Sequence, residues 1–134
     1  MKKTGIINAD ISAVMALLGH RDAITLVDAG YPIPDGPRRI DLALTRGIPT
    51  FLQTLAAVLQ EMEVERIIMA GEIRDYSPEL VAAIEALLPS LKMEFITNDQ
   101  FKVEVPKTRA VIRTGEFTPY ANIILVSGAA GFAL

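Results

Sequence analysis

Five runs of strand length, residues 23–27, 65–71, 93–96, 110–113 and 123–126, carry mostly apolar side chains. Most of the intervening segments read as helices. Strands alternating with helical patterns of about 10 to 15 residues point to a mostly parallel α/β sheet. Ile11, Val14, Met15 and Leu18 recur at helical spacing behind Asn8 or Asp10 as a cap, and Gly19 stops that helix. Phe51, Leu52, Leu55, Val58, Leu59 and Met62 form the apolar side of a second helix, with Pro49 in its first turn. Ser77 caps a third that has Pro78 at its first position and stops near Pro89. Residues 39–44 form a short strand or extended piece, and residues 98–101 a short helical turn. The last two runs lie too close for a helical crossover, so they are expected to form a hairpin or lie at a sheet edge. The expected fold is α/β: a single domain over residues 1–134, a mostly parallel sheet flanked by helices, Rossmann-like in layering but without a nucleotide motif.

Several function classes drop out on composition. The formal net charge is −3, with basic residues scattered, so there is no footprint for nucleic acid. The chain has no cysteine, which excludes disulfide, thiol and thiolate–metal chemistry and fits a reducing compartment. One histidine and carboxylates alone make a weak metal set, and no metal or cofactor is expected. No Gly-x-Gly-x-x-Gly, Walker-type loop or Gly-x-Ser-x-Gly elbow is present. The uncharged segment from residue 117 onward holds Pro119, Asn122 and Ser127 and falls short of the ~20 apolar residues a spanning helix needs. It is expected to be a buried strand. Polar Asn8, Asp10 and Ser12 interrupt what would be a signal peptide's apolar region, so the expected location is the cytoplasm. At 51% apolar residues and a mean hydropathy of +0.35, the chain has more apolar surface than one core uses, which favours an oligomer.

What remains is proton transfer and hydrogen bonding. His20 is the only histidine, and imidazole is the side chain that gives and takes protons near neutral pH. It precedes an apolar run that ends at Asp28, and carboxyl ends of strands are where α/β proteins bind ligands. A proline-rich loop, residues 31–37, follows directly; its three prolines exclude helix and central strand. Asn98 follows the 93–96 run, where a helix cap is the ordinary role. Tyr120 and Asn122 share one face if their segment is extended, offering a phenol and an amide together. Asp10 reads as a cap, Asp22 as a turn residue, and Asp41 as an ionic partner for Arg38, Arg39 or Arg46. Glu72 and Arg74 lie past the 65–71 run, within reach of a site or as a solvated pair.

Taken together these segments resemble the D-ribose pyranase family, relatives of the L-fucose mutarotases. The resemblance runs from Lys2-Lys3-Thr4-Gly5 and Asn8-Ala9-Asp10-Ile11-Ser12 through Leu18-Gly19-His20, Asp28-Ala29-Gly30 and Pro32-Ile33-Pro34. It continues in Arg39-Ile40-Asp41-Leu42-Ala43-Leu44, Gly47-Ile48-Pro49 and Phe51-Leu52-Gln53. It closes with Ala110-Val111-Ile112-Arg113-Thr114-Gly115-Glu116 and Pro119-Tyr120-Ala121-Asn122-Ile123-Ile124-Leu125. The resemblance implies interconversion of the pyranose and furanose rings of ribose in a homodecamer with sites between subunits, needing no cofactor. It implies His20 as proton donor, Asp28 as a substrate-contacting carboxylate, and Tyr120 and Asn122 as sugar contacts. Where the family usually has a second histidine this chain has Asn98, which can hold a sugar hydroxyl but cannot titrate. An L-fucose mutarotase-like enzyme and a non-catalytic sugar-binding subunit are the alternative readings.

Overall fold

The most apolar strand of the chain lies in the middle of its sheet, antiparallel to both neighbours. The structure, a computed structural model, describes residues 1–131. In chain order the elements are α1 (Ala9–Leu17), β1 (Ala23–Val27), β2 (Arg38–Asp41), α2 (Phe51–Leu59), β3 (Val64–Ala70), α3 (Ile73–Tyr76) and α4 (Pro78–Leu87). There follow β4 (Met93–Ile96), α5 (Asn98–Glu104), a 3₁₀ turn over Val105–Lys107, β5 (Ala110–Arg113) and β6 (Ile123–Ser127). The strands form one six-stranded sheet in the order β2-β5-β1-β6-β3-β4. β2, β5 and β1 run parallel, as do β3 and β4, and β6 joins the two groups antiparallel to β1 and β3.

The expectation of a mostly parallel α/β sheet holds. The last two strands neither form the expected hairpin nor lie at a sheet edge: β5 and β6 are both interior, with β2 and β4 at the edges. Residues 114–122 pass over the carboxyl end of β1, so β5 and β6 flank β1 on opposite sides. Proximity along the chain forbids a helical crossover but does not require direct pairing.

Side chains alternate across the strands, as the pleat demands. Ile24, Leu26, Ile67, Met69, Ile112, Ile123 and Leu125 face one side, under α1, α2 and α4. Thr25, Val27, Val111, Ile124 and Val126 face the other, where Phe101 of α5, Val105 and Tyr31 close a smaller cluster. Thr25 and Thr108 satisfy each other within that second layer at 3.0 Å.

Local chemistry fixes the helix starts. Asn8 caps α1 by accepting the Ile11 N–H at 3.0 Å, while Asp10, read as a possible cap, pairs with Arg38 instead. Thr50 and Gln53 form a capping box on α2, behind a cis Ile48–Pro49 bond, so Pro49 lies before the helix rather than in its first turn. Ser77 caps α4 with Pro78 at the first position, as expected. Thr97 and Gln100 box α5, which leaves Asn98 as its first helical residue and frees the amide from capping.

Candidate functional site

β1 ends at Val27, and three hydrogen bonds hold the chain that follows. The Asp28 N–H donates to the Asn122 side-chain oxygen at 2.8 Å. The Gly30 N–H donates to Asp28 Oδ1 at 3.0 Å, an Asx-type turn. The Ala29 N–H donates to the Glu116 carbonyl at 2.8 Å. These contacts turn the 28–31 segment across the carboxyl ends of β1 and β5. A concavity of about 530 Å³ opens there, and Asp28, Asn98, Tyr120 and Asn122 all line it. Four of the five sequence-predicted site residues therefore converge. They come from the end of β1, the start of α5 and the approach to β6.

Tyr120 reaches the concavity in a way that simple alternation does not describe. Its φ is +62°, in the left-handed region, so the 120–122 segment is a turn and not an extended strand. The Tyr120 ring packs at 5.1 Å from the Tyr76 ring, tilted by 54°. The turn still presents phenol and amide to the same space, because Asn122 is buried at 2% exposure and its oxygen is anchored on Asp28.

Further groups share this wall that sequence reasoning did not single out: Tyr31, Tyr76, Lys102, Arg113 and Glu116. Lys102 had a readable signal, since it stands four residues after Asn98 on one helix face. Arg113 donates to the Ala29 carbonyl at 3.0 Å and to Asp41 at 3.0 Å, so Asp41 pairs with it and not with Arg38, Arg39 or Arg46. Glu72 accepts the Asn98 N–H at 2.9 Å, and Arg74 lies 4.3 Å over the Phe95 ring. Glu72 and Arg74 thus do not pair.

Burial shapes the charges here. It pushes the half-buried Asp28 carboxyl above the ordinary carboxylate range, and the nearby Glu116 charge adds to this. Hydrogen bonds from Gly30, Asn122 and Tyr31 oppose the rise without cancelling it. Burial and the Asp28 charge push the Tyr31 phenol up to about 12, so it stays a neutral hydroxyl. Burial works to raise Glu116 as well, but donors from Phe51, Thr118 and Phe117 outweigh it and hold that carboxyl below its ordinary range. The concavity thus combines a proton-favouring carboxyl, an ionised one, hydroxyls, amides and aromatic faces. That set suits a small polyhydroxylated molecule. Among the described residues, no three histidine, aspartate or glutamate side chains gather as metal ligands.

His20 stands elsewhere. It precedes β1 while Asp28 follows it, and five extended residues span about 17 Å. The imidazole lines a separate concavity of about 570 Å³ with Met15, Leu18 and Gly128. Its Nε2 lies 2.9 Å from Glu65 Oε2. One chain does not bring His20 and Asp28 together, and Asp28 does not orient the ring.

The comparisons with known proteins agree with this architecture. Residues 1–130 match the family described as the RbsD / FucU transport protein family. A D-ribose pyranase of Geobacillus kaustophilus is 48% identical over 128 residues, covering 96% of this chain and 94% of the relative. One of Clostridium novyi is 51% identical over 128 residues, covering 96% and 98%. The structure of Bacillus subtilis RbsD complexed with D-ribose superposes with a TM-score of 0.93 at 45% identity, covering 96% of this chain and 98% of that one. The fucose mutarotase of Streptococcus pneumoniae, solved with L-fucose, shares the fold with a TM-score of 0.81 at 23% identity, covering 97% and 99%. The chain belongs to the RbsD / FucU transport protein family.

Proposed function

We infer that this protein is a sugar-ring isomerase that interconverts the pyranose and furanose forms of D-ribose. The observation that carries the reading is the convergence of Asp28, Asn98, Tyr120 and Asn122 on one concavity. The relatives named D-ribose pyranase and the ribose-bound neighbour identify the sugar that such a set would hold.

The chemistry needs these groups and one side chain that moves a proton. One group takes the proton from the anomeric hydroxyl and hands it to the ring oxygen, and the bond between C1 and the ring oxygen breaks. The open aldehyde rotates, and the C4 hydroxyl adds to C1 as the protons return. Nothing is gained or lost. His20 moves the proton, and each positioned acid or base is worth about a hundredfold to ten-thousandfold. Asp28, Asn98, Tyr120 and Asn122 hold the sugar hydroxyls.

Because β1 separates His20 from Asp28, a site using both takes its histidine from a second copy. Exposed Leu44, Ile48 and Phe117 supply apolar surface for such a contact, and Phe117 also lines the Asp28 concavity. A homo-oligomer with its sites between subunits fits these features, and the resemblance to the D-ribose pyranase family extends the reading to a cytoplasmic homodecamer.

Saturation-transfer NMR between ribose ring forms tests the reading. The wild type should accelerate exchange, and His20→Ala and Asp28→Ala should each abolish most of it. Co-expressed with each other, the two variants should regain activity at about a quarter of sites by random assembly. Binding of ribose without faster exchange would reduce the protein to a sugar-binding subunit. No recovery in the mixed oligomer would place His20 and Asp28 in separate functions.

A further inference from the structure

We propose that Glu65 is a positioning residue for His20, holding the imidazole with its proton on Nε2 and leaving Nδ1 as the nitrogen that meets the sugar. The proposal rests on the reading of His20 as the proton-moving group.

The contact is unusual for this sheet. β6 lies between β1 and β3, so the two outer strands are about 10 Å apart, two strand spacings. Side chains from the ends of β1 and β3 meet only if both lean across β6. Glu65 is placed to do so by a β-bulge. Val64 lies opposite Ser127 and Arg66 opposite Val126, which leaves Glu65 as the extra residue. A bulge re-aims the side chain it carries and twists its strand locally.

The histidine side is turned to match. Arg21 has a φ of +71°, and its N–H donates to the Ser127 carbonyl at 2.9 Å, folding the His20 loop onto the end of β6. Beyond Ser127 the chain has Gly128. A Cβ there would lie 3.1 Å from Glu63 Cγ, a tight contact, and 3.5 Å from Glu65 Cβ, an ordinary one, so the end of β6 packs directly against the Glu65 stem. Two backbone features, a bulge and a left-handed residue, thus converge on one hydrogen bond of 2.9 Å.

The bond selects a tautomer. An ionised carboxylate can only accept, so Nε2 must donate. In the neutral ring Nδ1 then holds the lone pair, and in the imidazolium it holds the second proton. One nitrogen therefore takes and returns the proton throughout ring opening and closure.

His20 is the only histidine in the chain, so its ring nitrogens can be read by long-range ¹H–¹⁵N NMR without ambiguity. With the ring neutral, the wild type should show Nε2 as protonated and Nδ1 as bare. Glu65→Ala should move both shifts toward a tautomer average and lower ribose exchange roughly 10- to 100-fold, the loss that follows when a metal-bound imidazole loses its carboxylate partner. Glu65→Gln keeps an acceptor oxygen and should restore part of both. Unchanged nitrogen shifts in Glu65→Ala would overturn the proposal, as would an unchanged exchange rate. If Glu65→Ala fails to fold, the same two readings on Glu65→Leu decide, since that side chain is similar in size but has no acceptor, and a shift or rate identical to wild type there also overturns it. Full activity of His20→Ala would instead remove the reading of His20, a separate outcome.

Discussion

The side-chain oxygen of Asn122 accepts the Asp28 backbone N–H at 2.8 Å, fixing the residue after β1 to the residue before β6. This bond joins neighbouring antiparallel strands at the rim of the candidate sugar site. It gives Asn122 a structural role beside the recognition role proposed for it.

Asn122→Ala is therefore expected to weaken both. Leaving the Asp28 N–H without its acceptor should cost about 1–3 kcal/mol in urea unfolding. Ribose affinity should fall with it. A loss below about 0.5 kcal/mol would mean that water takes over the amide's role.

Asp28 makes a pH-dependent contribution whose sign follows from its raised carboxyl. A folded-state value above the unfolded one adds stability at low pH, and that stability is lost as pH rises through the folded value. Asp28→Asn removes the ionisation and preserves the acceptor for Gly30. It should be more stable than wild type at pH 7, with the difference closing in acid, and it should lose exchange activity. Glu116, held below its ordinary range, has the opposite sign: its contribution is present above that range and is lost as pH falls through the folded value. Thermal unfolding over a pH series, with Glu116→Gln alongside, checks both directions.

Gly115 has no room for a side chain. A Cβ there would lie 2.6 Å from the Ile48 carbonyl oxygen and 2.7 Å from that of Thr45, both of them backbone atoms that cannot rotate aside. Gly115→Ala should cost roughly 1–3 kcal/mol and displace the 45–48 turn. Thermal melting together with a crystal structure would show whether Glu116 leaves the wall of the concavity with it.

Asn98 offers a hydrogen bond but no proton. Asn98→His should add an ionisation to the pH–rate profile of ribose exchange and change the rate by about tenfold or more. An unchanged profile would confine position 98 to holding the sugar.

Much of this was legible along the chain. β1 and β4 have the bounds that their apolar runs suggest, because a buried strand needs only a short uninterrupted run between breakers. Asp28 and Asn98 stand where strands end, a position read directly from pattern. Pairing was harder. The strand at 123–127 is recognisable as buried, yet nothing local says that its partners are β1 and β3 rather than β5. The Tyr120–Asn122 turn depends on a left-handed residue that is not glycine, which composition does not announce. The His20–Glu65 contact depends on a bulge, a mismatch between two strands that neither strand carries alone.

The placement of β6 also governs the order of assembly. It follows every other strand in the chain, yet it alone bridges the β2-β5-β1 and β3-β4 groups. Until residues 123–127 pair, β1 and β3 each present an open edge. Closure of the sheet thus waits for contacts distant in sequence, and those two edges stay open to wrong partners until it comes.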